Sequence, residues 1–548
     1  VGKGVPRRLP SADFNLGGEQ AEADPLLQSA FFQSSQYASL VSRDEPKCFI
    51  VGRTGSGKSA MLQRVEEDHP DHVIRINPED LSLPYISDLG VVRFLAAMDV
   101  HLDPFFIALW KHVLLVEIIR HRYKVNSPAA KQNFLVSLRD RVSRDKSKMA
   151  ALEYLDDFDG KFWCETDERV RDITTKFEEQ VKKEAGGKIA AAPFDANATF
   201  GGSALYGEET KAQQAERFQR IVNETQLPRL NKMIGVLDEH ILESPQNYTY
   251  VVIDDLDRDW VDEKILNSLI RCLFRAVLDL KRVRNLKVLV ALRTNIFEQL
   301  NFGTRTGGQE EKFRSVKMTL RWSSRELQEL VVTRASSAAE MRQLDTVESI
   351  KDLLPATNPS RGNPFDYMLR RTLMRPRDII SCFNACYSIS NNKRLTWETI
   401  VEAERTYSRD RLFALRDEWK PSYFDIDRVF WVFDSAPIKM NRKEFFERLD
   451  EAFLLPADPD FGGVVWVTEM SEAFWSGSQV GDAGREYHPL TRLLFDIGFI
   501  GCIRKSGTEI YAYDSPEYMD RASAMEDVAQ FCVHPAFRLA LDIKPDRR

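Results

Sequence analysis

The chain has no cysteine pair at C-x-x-C spacing: its seven cysteines stand apart at positions 48, 164, 272, 382, 386, 502 and 532. Disulfide scaffolds are short and cysteine-dense, and zinc ribbons need paired cysteines, so both classes are excluded and a reduced, cytoplasmic protein is expected. The eight histidines are equally dispersed and show no metal-ligand spacing. No apolar run reaches the roughly 18 residues of a membrane helix. The nearest, Phe105 to Ile119, is interrupted by Lys111, His112 and Glu117, which predicts a buried helix and no membrane partner. The opening VGKGVPRRLP has neither an apolar signal core nor an initiator Met. No fixed-period repeat is present, which excludes solenoids and propellers. Nor is there an LSGGQ-type transporter signature. The net charge is −7, whereas a chain that coats itself with nucleic acid is usually basic.

The 548 residues suggest about three or four domains and leave ample chain for a core without metal or disulfide staples. Residues 1–45 read as an N-terminal segment with a helical run from Asp24 to Val41. Residues 46–325 read as an α/β core. Its apolar strands are expected at Cys48 to Val51, Val73 to Ile76, Tyr248 to Ile253, Leu286 to Leu292 and Val316 to Leu320. A large helical insertion covers about 88–243 and contains a small-residue loop, AAAPFDANATFGGSALYGE. Alternating strands and helices predict a mostly parallel sheet. Residues 326–418 read as a helical lid. Residues 419–548 read as a winged-helix-like α+β domain, because a helix at Pro489 to Ile497 precedes a hairpin turning on Lys505-Ser506-Gly507. Cys382 and Cys386 share a helix face and read as core.

The sharpest signal is Gly52-Arg53-Thr54-Gly55-Ser56-Gly57-Lys58-Ser59, followed by Ala60, which fits G-x-x-x-x-G-K-[ST] at every fixed position. At average composition that pattern arises by chance in about 2% of chains this long. Glycines let successive backbone N–H groups face phosphate oxygens, Lys58 reaches the β and γ phosphates, and the Ser59 hydroxyl ligates Mg²⁺. The helix that follows adds its positive end. ATP and Mg²⁺ are therefore the expected substrate and cofactor. The one Asn-Lys pair, Asn231-Lys232, lacks the aspartate of a guanine-reading motif.

A P-loop hydrolase also needs a carboxylate for the metal and a group that orients water. The run from Tyr248 to Ile253, read as a strand beside the P-loop strand, ends in Asp254-Asp255-Leu256-Asp257-Arg258. Asp254 is the expected metal ligand and Asp255 the group that polarises water. The strand ending Arg293-Thr294-Asn295, set between the two motif strands, offers Arg293 as a catalytic sensor of the γ-phosphate, with Asn295 as alternative. Asn77 is a weaker candidate to restrain the catalytic carboxylate. In Met374-Arg375-Pro376-Arg377-Asp378 the proline opens a helix, and Arg377 is a nucleotide-facing lid residue; both arginines also read as solvated or paired with acids. Arg258 reads either as an arginine donated to a neighbouring subunit or as a brace for its own turn.

GRTGSGKS, VVIDDLDR, ALRTN and RPRD together resemble the KAP and STAND groups of AAA-like P-loop ATPases, over about residues 45–390. That resemblance implies phosphate and Mg²⁺ roles for Lys58 and Ser59, acidic roles for Asp254 and Asp255, and a strand-end role for Arg293. KAP proteins often carry membrane helices inside the ATPase domain, which this insertion lacks; STAND proteins usually run on into repeats, also lacking. Members often act as ATP-driven oligomeric switches with a protein effector, including in antiviral defence. The alternative is a nucleic-acid-loading ATPase with a winged helix. Residues 419–548 carry 15 basic and 22 acidic side chains, against that alternative, whereas 271–334 carry 14 basic and 6 acidic, in its favour or as a solvated face.

Overall fold

The computed structural model describes residues 14–77, 100–124, 136, 140, 179, 219, 227–256, 263–300, 310–390, 394–476 and 484–543. Most of the expected insertion, its small-residue loop, Asp257 and Arg258 lie outside them. The chain divides into two units: residues 35–53 with 61–320, and residues 1–34 with 54–60 and 321–548.

The first unit is built on five parallel strands: β1 (Phe49–Gly52), β2 (Val73–Ile76), β3 (Thr249–Ile253), β4 (Leu286–Arg293) and β5 (Lys317–Thr319). Their spatial order is β2-β3-β4-β1-β5, an α/β P-loop-like sheet. β1, β3 and all of β4 but its last residue are buried, as their continuous apolar sequences require. β4 lies between β3 and β1 and pairs with both, as expected of the strand that ends in Arg293, so β3 is one strand removed from the P-loop strand and not beside it. The helices Asp103–Tyr123 and Glu263–Leu280 contribute to the core of this unit, in which Phe49 of β1 stacks on Phe274. Fifteen residues of the Asp103–Tyr123 helix are buried, Lys111 and His112 among them. Lys111 reaches Asp279 and Asn231, while Asp103 pairs with Arg271 at 2.6 Å. No helix among the described residues is long and apolar enough to cross a membrane.

In the second unit the helices Ser324–Met341, Pro364–Leu369, Pro376–Ile389 and Trp397–Trp419 share a core with Phe14, Leu16, Leu26 and Ala30. Cys382 and Cys386 are buried there. The expected Asp24–Val41 helix is a correction: only Ser35–Val41 is helical. Asp24 Oδ1 instead accepts the N–H groups of Gly18 and Leu26, at 2.9 and 3.1 Å, a local bond that competes with helix. Its other oxygen meets Arg334 at 2.7 Å. Further along come the helices Ile426–Trp431, Arg442–Leu454, Val464–Trp475 and His488–Asp496 and a four-stranded sheet. Its strands, β6 (Met440–Asn441), β7 (Ile500–Arg504), β8 (Glu509–Ile510) and β9 (Val528–Val533), are antiparallel in the order β6-β9-β7-β8. The β7–β8 turn contains Gly507 at φ +85°, as the Lys505-Ser506-Gly507 signal requires.

The Arg334 and Asp24 side chains are 7% and 2% exposed. Asp24→Ala strands the arginine and is expected to cost about 3 kcal/mol of unfolding free energy, read by chemical denaturation.

Candidate functional site

Parallel strands end on one edge of a sheet, and three of the predicted site residues meet there. Gly52, the first glycine of the P-loop motif, closes β1 and is the register partner of Arg293, which closes β4. Asp254 leaves β3 on the same edge, one residue after the Ile253–Val290 pair. Arg293 and the following Thr294 and Asn295 are half-buried at the start of the Thr294–Gln299 helix. Asn77, after β2, accepts from Arg75 Nε at 3.2 Å.

Asp254 is 5% exposed. Its Oδ1 accepts the N–H of Asp255 at 3.0 Å, and its Oδ2 has no hydrogen-bond partner among the described residues. A buried carboxylate oxygen without a donor is costly. With a hard oxygen donor set, it fits Mg²⁺. Asp255 sits at φ +57°, the left-handed region that aspartate tolerates better than most side chains.

Residues 54–60 belong to the second unit, where three donors grip the loop backbone. Arg375 Nη1 donates to Thr54 O at 2.9 Å, the Arg377 N–H to Gly55 O at 3.3 Å, and Trp322 Nε1 to Ser56 O at 2.9 Å. The Thr54 N–H donates to Glu418 Oε1 at 3.1 Å, and Arg375 also bonds Glu418 Oε2 at 3.0 Å. Gly55 has φ +76°, and a Cβ there would stand 2.6 Å from Arg377 Cβ. Thus glycine is required twice over, by conformation and by space. The Ser56 side chain is buried, and its Oγ has no hydrogen-bond partner among the described residues. Lys58, Ser59 and Ala60 form the first turn of the Lys58–Asp68 helix and are half-buried.

Behind the loop stands an ion network buried at Arg375, Asp378 and Arg411 and open to solvent at Glu19. Arg375 meets Asp378 through Nε–Oδ2 and Nη2–Oδ1 at 3.0 and 3.2 Å, and Arg411 meets Asp378 Oδ1 at 3.3 Å. Glu19 takes Arg411 at 3.2 Å and Ser381 at 2.8 Å, and its carbonyl accepts Arg377 Nε at 3.0 Å. Burial would raise the Asp378 carboxyl, but Arg375 and Arg411 outweigh it and hold it below the ordinary aspartate value. Burial likewise opposes the charge on Arg375, yet Asp378 and Glu418 keep its pKa raised. Arg377 is lowered, by burial first and by Arg375 next.

Sequence reading places Arg377 near the nucleotide but misses Arg375, Trp322 and Glu418 as loop contacts and Glu19 as a partner of Arg377. The R-P-R-D string carried the Arg375 signal. The other three have no local signature.

Replacing Gly55 by Ala drives a methyl group against Arg377. The expected loss is about 1–3 kcal/mol, read from the denaturation midpoint, with Gly55→Val worse.

Residues 325–416 match the family model of a FunZ-associated C-terminal helical domain. Over 558 aligned residues the chain is 20% identical to a putative transposon gamma-delta 80.3 kDa protein of Escherichia coli K12, spanning 96% of this chain and 67% of that one. The Orc1 protein of Aeropyrum pernix, solved in complex with DNA, aligns with 99% of this chain and 92% of its own at 12% identity and a TM-score of 0.29, too low to inform the fold.

Proposed function

We propose that the chain is a Mg²⁺-dependent P-loop ATPase acting as a switch: ATP binds on residues 52–60, and its presence is felt by the helices that hold the same loop. The observation that carries this reading is the pairing of a complete G-x-x-x-x-G-K-[ST] loop with a buried, half-unsatisfied carboxylate, Asp254, at the carboxyl edge of a parallel sheet. That edge is where open α/β sheets bind ligands.

The roles follow from chemistry. Lys58 and the loop N–H groups bind the phosphates. Ser59 and Asp254 would hold Mg²⁺, which supplies positive charge against the phosphate oxygens. Asp255 orients the attacking water and accepts its proton. Arg293, in register with Gly52, presents a cation to the γ-phosphate; Arg377, at the helix start on Gly55, is the second cation in this reading. Membership in the KAP or STAND groups, assembly into homo-oligomers, an effector partner and a part in antiviral defence belong to the same proposal and rest on the motifs.

The second reading is a nucleic-acid-loading ATPase. The similarity to a transposon-encoded protein and the helix–strand–strand ending of the chain favour it. Charge opposes it. Arg492, on the helix before the hairpin, is paired with Asp496 and Asp520, and Arg504 on the hairpin with Asp527. Phosphate binding needs unpaired cations, because counterion release drives it.

Two variants test the first reading. Lys58→Ala is expected to abolish ATP binding in a titration with a fluorescent analogue; parent-like affinity refutes the site. Asp255→Asn keeps a side chain that tolerates left-handed backbone, so it is expected to fold, bind ATP and lose at least about a hundredfold in turnover, in line with removal of acid–base chemistry. For the second reading, duplex DNA is the probe: anisotropy unchanged by the chain at low salt rejects it, whereas salt-sensitive binding lost in Arg504→Ala adopts it.

A further inference from the structure

The three donors on the loop act on consecutive peptide planes. In a trans peptide the carbonyl of one residue and the N–H of the next point in opposite directions. No peptide bond among the described residues is cis. Arg375, the Arg377 N–H and Trp322 take the carbonyls of Thr54, Gly55 and Ser56. The N–H groups of Gly55, Ser56 and Gly57 are thereby turned to the other side.

We propose that Trp322, Arg375 and Glu418 are positioning residues that pre-shape the phosphate cradle: Trp322 and Arg375 hold two loop carbonyls from behind, the Arg377 N–H holds the one between them, Glu418 fixes Arg375 and the Thr54 N–H, and three successive N–H groups are thereby aimed at the ligand before it arrives. This rests on the nucleotide reading above. The grip has its own supports. Glu418 holds both the Thr54 N–H and the guanidinium that takes the Thr54 carbonyl, so that residue is fixed at both ends. Arg375 is in turn locked by Asp378, whose side chain is 1% exposed. Trp322 also lies against Gly57, within 3.6 Å of where a Cβ would stand, and its ring is tilted against Phe32. The ring is thus packed independently of the hydrogen bond it makes.

A cradle oriented in advance spares the ligand the ordering of the loop. Losing one holding bond therefore weakens binding while leaving the chemical step nearly intact. It also means that displacing the helices slackens the cradle, which gives the switch a physical link.

The decisive variant is Trp322→Phe, which keeps an aromatic ring and removes the donor. Glu418→Gln is the second, and Arg375→Lys the third should either fail to fold. Glu404→Gln is the control: Glu404 pairs with Arg371 and Tyr367, away from the loop. Amide hydrogen exchange over residues 53–60 is read without nucleotide, then Kd and turnover with Mg²⁺ and a fluorescent ATP analogue or ATP. For Trp322→Phe the expected outcome is loop exchange and Kd each raised about fivefold to tenfold, as one hydrogen bond of about 1 kcal/mol allows, with kcat within about threefold. The control lowers the melting temperature without changing loop exchange. Parent-like exchange and Kd in both Trp322→Phe and Glu418→Gln overturn the proposal, as does equal loosening by the control. A parent chain that binds no analogue overturns the nucleotide reading and the cradle's purpose with it. Loop exchange that still follows Trp322 then marks that failure as one of ligand, not of geometry.

Discussion

A buried guanidinium must find acceptors for its protons, and Arg375 finds them in Asp378, in Glu418 and in the backbone of the P-loop. This one constraint ties much of the second unit together. Removing either acid leaves an uncompensated charge in a site 8% exposed, a loss of about 3–5 kcal/mol for a broken buried pair. The loop carbonyl is a full member of the set, so the helices cannot settle without taking hold of the loop. Asp378 then recruits Arg411, and Arg411 recruits Glu19 from the N-terminal segment. Among its described residues 14–34, regular structure is limited to the single 3-10 turn Ala21–Ala23. The segment is held by ions and by Phe14 and Leu16 in the shared core.

The sheet was readable because buried parallel strands are continuous apolar runs. β1, β3 and β4 are such runs, whereas β2 and β5, at the two edges of the sheet, are broken by Arg75 and Lys317 and only part-buried; all five expected positions agree with the structure to within one residue at each end. β4, drawn from a later stretch, lies between β3 and β1, the two strands that carry motif residues, as the reading of Arg293 requires. The loop contacts are not legible in the same way. Trp322 meets Ser56 across 266 residues of chain and Glu418 meets Thr54 across 364. Trp322 lies in the connection between β5 and the Ser324–Met341 helix and Glu418 in the Trp397–Trp419 helix, and neither carries a local signature. Asp24 shows the opposite failure: a local side-chain bond replaces the helix that its neighbours' composition suggested.

Charge counting misleads for a related reason. The excess of basic residues over 271–334 looked like a surface for an anionic partner. Arg271 and Arg275 instead face Asp103, Arg284 faces Asp238, and Arg334 faces Asp24. Lys287 is buried, bonded to the carbonyls of Ser42 and Glu45, and its pKa is lowered by that burial. Much of the excess is neutralised by acids distant in sequence. A run of one sign is a statement about neighbours along the chain, whereas counterion release depends on neighbours in space.

Two of the seven non-glycine residues at positive φ among the described residues mark where the backbone is bent for a purpose. Asp255, at +57°, follows the buried carboxylate, and Met374, at +53°, immediately precedes Arg375. Such conformations persist only where the surroundings over-determine them. At Met374 they do: its N–H bonds Thr372 Oγ1, and the neighbouring Leu373 N–H bonds Asp378. The turn delivers Arg375 to the loop and starts the Pro376–Ile389 helix with Arg377 above Gly55. At Asp255 the turn carries the second carboxylate away from the line of β3, so that two adjacent aspartates take different surroundings, one buried and one half-buried. Adjacent identical side chains acquire different chemistry only if the backbone separates them. Here a single left-handed residue does so.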